Sequence, residues 1–249
     1  TTFASLPSFP SSVPRRVGRR GHGVEVIFAY PGGASMPLHQ ALTRYKDRIR
    51  TILPRHEQGG SFAAQGYART TGKPGVCMAT SGPGATNLVT AIADAFMDSC
   101  PLIAITGQVN QAMIGRGAFQ ETDMIGISRP IVKHSFMVRC AEDIPVMIKK
   151  AFYIAATGRP GPVVIDIPKD VQNWEGDFRG SGRLPVPGYR QRMHKLRQNS
   201  LSETHAAQFF EMLGQSERPL IYAGGGVINA GASEQLRALA DTYGIPVVT

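Results

Sequence analysis

The chain has 249 residues, 42% of them hydrophobic, a net charge of +9 and three cysteines. That length and composition give room for one large or two modest domains with a real core, and no apolar run is long enough for a membrane span. Cys77, Cys100 and Cys140 lie far apart with no CxxC or CxxH spacing, which argues against a disulfide framework or a zinc site and for buried thiols in a reducing compartment.

The charge looks like a nucleic-acid signal until it is located. Residues 1–23 carry +4 and residues 179–197 carry +6, all from Arg and Lys, so the remainder sums to −1. Both basic segments are rich in Pro, Gly or Ser and do not read as a folded face with aromatic interleaving. A solvated basic tail and a solvated linker explain them better than a nucleic-acid footprint. Residues 1–23 read as a disordered tail, with an acid-free composition that also resembles the end of an organellar transit peptide.

From Val24 the pattern becomes α/β. Val24–Phe28 is a short strand, Pro31-Gly32-Gly33 a turn, and Ser35 a candidate cap for a helix through Leu38, Ala41, Leu42 and Tyr45. A second strand, Ile49–Leu53, leads into Pro54-Arg55-His56-Glu57-Gln58-Gly59-Gly60 and a helix ending near Thr71-Gly72. Val76–Ala79 is a strand, Ser81-Gly82-Pro83-Gly84 a turn, and the next helix carries Leu88, Ile92, Ala95 and Phe96. Pro101–Ile105 is a strand. Residues 107–128 form a long polar loop with short helical pieces. A helix opened by Glu142 or Asp143 then leads to a strand at Val163–Ile167.

Strands that alternate with helices and are themselves continuously apolar indicate a doubly wound parallel sheet covered on both faces. Ligands in such folds bind outside the carboxyl ends of the strands. The turns at 31–35, 54–60, 81–87 and 107–120 all fall there and are expected to line one shared site. After a linker at 172–200, residues 201–249 read as the start of a second, truncated α/β unit: a helix to Leu213, a strand at Pro219–Tyr222, a Gly224-Gly225-Gly226 turn, a helix at Ser233–Tyr243 and a strand from Ile245.

Glu57 lies at a strand-to-helix junction, where an acid can serve merely as a helix cap. Gly82-Pro83-Gly84-Ala85-Thr86-Asn87 lacks the Gly-Lys-Ser/Thr of a phosphate loop and the third glycine of a dinucleotide fingerprint, so a tight turn is the favoured reading over direct phosphate binding. Gly224–Gly226 is off pattern too, though glycines after a strand let backbone approach a ligand. His39, His56 and His134 lack metal-ligand spacing and read as polar or packing residues. Gln108, Gln120 and Glu121 fall in the long loop, where functional residues concentrate.

Taken in order, these stretches resemble the thiamine-diphosphate enzymes, and among them the large catalytic subunits of acetohydroxyacid (acetolactate) synthases. The resemblance is carried by Phe28-Ala29-Tyr30-Pro31-Gly32-Gly33-Ala34-Ser35, Pro54–Gly60, Ala79–Asn87, Ala104–Val109, Ala118-Phe119-Gln120-Glu121-Thr122, Gly158–Val163 and Pro168-Lys169-Asp170. It implies a pyrimidine-binding domain over 24–171 and the opening of an FAD-binding-type central domain over 201–249. It implies that Glu57 hydrogen-bonds the cofactor's aminopyrimidine as the catalytic carboxylate, promoting loss of the thiazolium C2 proton. It places Gly33 and Gln120 near the thiamine ring, Phe119 and Lys169 in the substrate channel, and Ser99, Arg159 and Gly224, Gly225 and Gly226 on the side that holds FAD. The implied reaction is decarboxylation of pyruvate and transfer of the two-carbon unit to a second 2-oxo acid, the first step of branched-chain amino-acid biosynthesis.

The same resemblance implies a homodimer or tetramer of catalytic subunits, a small regulatory subunit, and Mg²⁺ whose ligands are not in this chain. Without the domain that grips the diphosphate, the chain alone is expected to lack synthase activity. The cytoplasm is the expected compartment, with a plastid the alternative. Three departures stand out: residues 1–23 do not read as the helix the family has before Val24, Gln65 stands where Glu is frequent, and Asn110 stands where Pro is frequent, at the channel mouth. The competing readings are a related carboligase or oxidase, such as glyoxylate carboligase (against which Glu57 stands) or pyruvate oxidase, and a non-catalytic domain that only pairs with full subunits.

Overall fold

The computed structural model describes residues 24–175, 191 and 202–249. The basic tail expected at 1–23 and nearly all of the expected linker lie outside the described residues. The chain divides into two compact units, one containing residues 24–175 and the other 202–249.

The first unit is a six-stranded, all-parallel sheet. In chain order its elements are β1 (Val26–Ala29), α1 (Met36–Thr43), β2 (Arg50–Ile52), α2 (Glu57–Thr71), β3 (Gly75–Ala79), α3 (Pro83–Thr86), α4 (Val89–Met97) and β4 (Leu102–Gln108). A 3₁₀ turn at Gln111–Met113 follows, then α5 (Met124–Ser128), β5 (His134–Met137), α6 (Ile144–Ala156), β6 (Val163–Pro168) and α7 (Lys169–Gln172). The strand order is β2-β1-β3-β4-β6-β5. After β1 the chain moves outward to β2, whereas after β3 it moves the other way to β4. The β1/β3 boundary is therefore the switch point of the sheet, where parallel α/β folds place their ligands.

Both faces of the sheet are covered, as the continuously apolar strands require. Along β3, Val76 and Met78 join one core, with Ile27, Ile103, Ile165, Ala151 and Phe152. Cys77 and Ala79 join the other, with Ala64, Ala68, Leu88, Ile92 and Leu102. This is the two-residue period of a strand buried on both sides. Helix α2 lies unusually close to β3. A Cβ at Gly75 would stand 2.6 Å from the Ala64 carbonyl carbon, so glycine here allows backbone to rest on backbone. The helix ends at Gly72, whose φ of 68° permits the left-handed cap that binds the Ala68 carbonyl.

Four expectations change. Of the thiols expected to be buried, Cys77 and Cys100 are and Cys140 is exposed. Gln108, expected in the long loop, is the last residue of β4 and is buried. Strand β5 falls in a stretch with no expected element. It is a four-residue edge strand with no apolar run, fixed by its pairing of His134–Met137 with Val163–Asp166. Ser35 occupies the position before α1 but makes no side-chain cap; its hydroxyl donates to the Gly32 carbonyl at 3.3 Å.

The second unit holds α8 (Glu203–Gln215), β7 (Ile221–Tyr222), α9 (Gly226–Asn229), α10 (Ser233–Tyr243) and β8 (Val247–Val248), with β7 and β8 parallel. Ser202 caps α8 by accepting from the His205 amide at 3.1 Å. Among the described residues no helix is long and apolar enough to cross a membrane.

Candidate functional site

The loops after β1, β2, β3 and β4 leave the same end of the parallel sheet, and glycines let three of them interlock. Thr80, at the end of β3, fills the space of absent side chains on both sides. A Cβ at Gly32 would stand 2.5 Å from Thr80 Cβ, and one at Gly84 would stand 2.7 Å from Thr80 Cγ2. The Thr80 hydroxyl accepts a hydrogen bond from the Ala34 amide at 3.1 Å. Gly82, at φ 58°, lies under Gln120, whose Cα would be 2.9 Å from a Cβ there. The Ala34 carbonyl sits over Gly107 and accepts from the Gln172 side chain at 2.7 Å.

Glu57 is the first residue of α2 and partly buried. It is not the cap. His56 precedes the helix in extended conformation, and its Nδ1 accepts from the Gln58 amide at 3.1 Å. With the helix end served, the Glu57 carboxylate is free for other work. Its Oε2 accepts from Asn87 Nδ2 at 3.0 Å. Its Oε1 faces Gly84, where a Cβ would come within 3.4 Å, and accepts no hydrogen bond among the described residues. The Gly82–Asn87 turn therefore bears on the carboxylate, which fits the tight-turn reading of that motif.

Gly33 is exposed, and a Cβ built on it would meet nothing within 4 Å. Neither packing nor a left-handed backbone demands glycine there. Phe119 is 89% exposed. Next to it, Gln120 adopts a φ of 58°, costly for a residue with a Cβ. Glu121 holds that turn: its carboxylate accepts from the amides of Gly115 and Ala118, which keeps its pKa below the usual carboxylate value. Lys169 opens α7 and is exposed. The neighbouring Asp170 ties this end of β6 to the loop after β4 by accepting from the Gln111 amide and side chain, each at 3.1 Å.

Gly33, Glu57, Phe119, Gln120 and Lys169 thus all fall at the carboxyl end of the sheet. Ser99 and Arg159 come together at the other end, where α4 turns into β4 and the chain approaches β6. Arg159 Nε donates to Ser99 Oγ at 2.7 Å, and its Nη2 donates to the Met97 carbonyl at 2.9 Å. A guanidinium on the last carbonyls of a helix is favourably placed. Gly224, Gly225 and Gly226 form an exposed turn in the second unit. Among the described residues no group of three His, Cys, Asp or Glu could hold a metal ion.

Sequence reasoning finds Asn87 and Thr80 only as parts of a turn, because the contact of Asn87 with Glu57 spans 30 positions. It also misses a buried polar cluster beneath the loop after β4. Asp166, wholly buried in β6, accepts from Thr106 Oγ1 at 2.7 Å and from Gln108 Nε2 at 3.0 Å. Burial pushes its pKa up to about 7, against the opposing effect of those two donors. Its signal is an acid inside an otherwise apolar strand, where a charge needs partners.

A family model described as "Thiamine pyrophosphate enzyme, N-terminal TPP binding domain" matches residues 19–127, and one described as "Thiamine pyrophosphate enzyme, central domain" matches 206–249. Together they take in more than half of the chain, which belongs to the thiamine pyrophosphate enzyme family. Its relatives include the chloroplastic acetolactate synthase of Arabidopsis thaliana, 52% identical over 91% of this chain and 33% of that protein. The acetolactate synthase large subunit of Corynebacterium glutamicum is 51% identical over 90% of the chain and 35% of that protein. The acetolactate synthase of Mycobacterium bovis is 52% identical over 91% and 36%. The chain spans about a third of the length of the curated relatives it matches.

Proposed function

We propose that residues 24–171 form the pyrimidine-binding half of a thiamine diphosphate site, with Glu57 as its proton-handling carboxylate, in an enzyme that joins 2-oxo acids as acetolactate synthases do. The observation that carries this reading is the Glu57 carboxylate: one oxygen is anchored by Asn87 and the other is uncommitted, at the switch point of the sheet. The residues fit the cofactor. Gly33 leaves a space that no protein atom claims, as close approach of a ring would need.

When bound, thiamine diphosphate supplies an electron sink for decarboxylation and two-carbon transfer. Glu57 would hold a proton at a nitrogen of the aminopyrimidine through Oε1. Asn87 keeps Oε2 occupied, so the carboxylate presents one fixed oxygen rather than a rotating pair. Gly33 and Gln120 would bound the ring. Phe119 and Lys169 would line the approach of the 2-oxo acid, with the ammonium drawing its carboxylate.

Mg²⁺ would be held by residues outside this chain. Within the first unit, Ser99 and Arg159 would be the residues offered to FAD; Arg159 Nη1 is uncommitted among the described residues. Pairing into a dimer or tetramer is supported by exposed apolar side chains near the site, Leu53, Phe62, Met113 and Phe119 among them. A small regulatory subunit belongs to the same reading. The cytoplasm is kept as the proposed compartment and a plastid as its alternative; relatives named chloroplastic and relatives from bacteria are about equally similar to the chain.

The test is a chimera in which residues 24–249 replace the matching third of the Corynebacterium glutamicum large subunit. It is expected to form acetolactate from pyruvate, and Glu57→Gln is expected to lower kcat by about 10²-fold or more. A folded Glu57→Gln chimera that binds thiamine diphosphate and turns over as fast as its parent would defeat the assignment of Glu57. Product analysis with glyoxylate distinguishes the neighbouring carboligase activity.

A further inference from the structure

The loop that carries Phe119 and Gln120 is held from below by side chains that never reach the surface. Gln108, only 2% exposed at the end of β4, uses its whole amide. Its Nε2 donates to Asp166 Oδ2 at 3.0 Å and to the Thr122 carbonyl at 2.7 Å, while its Oε1 accepts from the Val109 amide at 2.8 Å. Thr122 follows Glu121, whose carboxylate gathers the Gly115 and Ala118 amides. Gln120, just before, rests on Gly82. Asp166 is the root of this chain of contacts. Thr106 lies directly opposite it in the β4–β6 register and occupies Oδ1, so Oδ2 is directed to Gln108.

We propose that Asp166 is a positioning residue for the 115–122 loop: its buried carboxylate orients Gln108, and Gln108 holds the Thr122 carbonyl, so that Gln120 is presented over Gly82 with Phe119 beside it in the chain. A carboxylate accepts from an amide about twice as strongly as a neutral group does. The grip on the loop therefore depends on the ionisation of Asp166. From neighbouring elements, the charged group acting on it is Asp123 at the start of α5, which favours the protonated form. No salt bridge reaches Asp166 among the described residues. Glu121 titrates in a more acidic range and does not interfere near neutrality. The positioning role concerns the loop itself; its bearing on catalysis rests on the function proposed above.

Amide hydrogen exchange of the chain, measured between pH 8 and 6 and corrected for intrinsic rates, tests this without any activity. As Asp166 takes up its proton, protection of the Val109 and Ala118 amides is expected to fall several-fold, while global stability rises. A carboxyl group that merely fills space would move both in the same direction, and parallel changes would overturn the proposal. In Asp166→Asn the neutral Oδ1 can still face Gln108 while Nδ2 donates to the Thr106 hydroxyl, so the bridge keeps its geometry but loses the strength of a charged acceptor at every pH. Loop protection is then expected to be about tenfold lower at every pH, with no trend across this range. Thr106→Val spares the Gln108 bridge and should leave loop protection within about twofold of its own global change. Wild-type loop protection in Asp166→Asn would equally refute the proposal. If that variant fails to fold, the wild-type pH series still decides.

Discussion

Two glycines of the same loop cluster are predicted to respond oppositely to a methyl group. At Gly107 a Cβ would stand 2.6 Å from the Ala34 carbonyl carbon and 3.0 Å from the Ser35 nitrogen. Backbone cannot swing aside as a side chain does, so the 31–35 loop must back away by roughly an ångström. Overpacking of this kind costs about 1–3 kcal/mol. The retreat also strains the Gln172 bond to Ala34, worth about 1 kcal/mol. Gly107→Ala should therefore lose about 2–4 kcal/mol, a shift of roughly 1–2 M in the urea midpoint at a slope of about 2 kcal/mol/M. At Gly33 a Cβ meets nothing within 4 Å, and Gly33→Ala should stay within about 0.5 kcal/mol of the parent. Its penalty should appear in the chimera as a raised thiamine diphosphate requirement. Urea unfolding followed by far-ultraviolet circular dichroism compares all three proteins. A Gly107→Ala protein as stable as the parent, or a Gly33→Ala protein as weak as Gly107→Ala, would refute the claim that one glycine serves packing and the other a ligand.

Three further predictions concern the same unit. The raised pKa of Asp166 means that the fold favours its neutral form; relative to an unfolded value of about 3.9, its contribution is complete below pH 4 and is lost as pH rises to about 7, on the order of 4 kcal/mol. The unfolding free energy of the parent minus that of Asp166→Asn, measured from pH 4 to 8, should trace that decline; a flat difference would contradict it. Ser99 holds a left-handed φ of 57° and binds Arg159, so Ser99→Ala keeps the strain and loses the bond, whereas Ser99→Gly loses both. The glycine variant should be the more stable of the two by about 1 kcal/mol in thermal unfolding. Asn87→Ala should lower kcat of the chimera by about tenfold through a loosened Glu57, with stability changed by about 1 kcal/mol or less; an unchanged kcat would remove Asn87 from the site.

The sheet was legible because its strands carry the signal themselves: Val76–Ala79 and Val163–Ile167 are apolar at every position but Asp166, as burial on both faces demands. The end of α2 was legible at Gly72, where a left-handed cap is required. Strand β5 was not, because His134–Met137 has neither alternation nor an apolar run and exists by pairing with β6. The site was legible as a set of loops at one end of a parallel sheet. Its interior was not. Gly32, Gly84 and Gly107 matter through what they leave room for, and Asn87, Gln108 and Asp166 matter through partners many residues away. His56 took the helix-capping role considered for Glu57, a division of labour that only the extended backbone before α2 discloses.

The chain contains a single tryptophan, and it stands just beyond α7. Its amide is bonded to the Val171 carbonyl and its indole is 43% exposed, close in sequence to Lys169 and Asp170. The protein thus carries its own optical reporter at the end of the sheet where the loops gather. A ligand or partner closing over that end should alter the emission of Trp174 without any label. An occupant at the Ser99–Arg159 end should leave the signal unchanged, so fluorescence alone can tell which end of the sheet has been engaged.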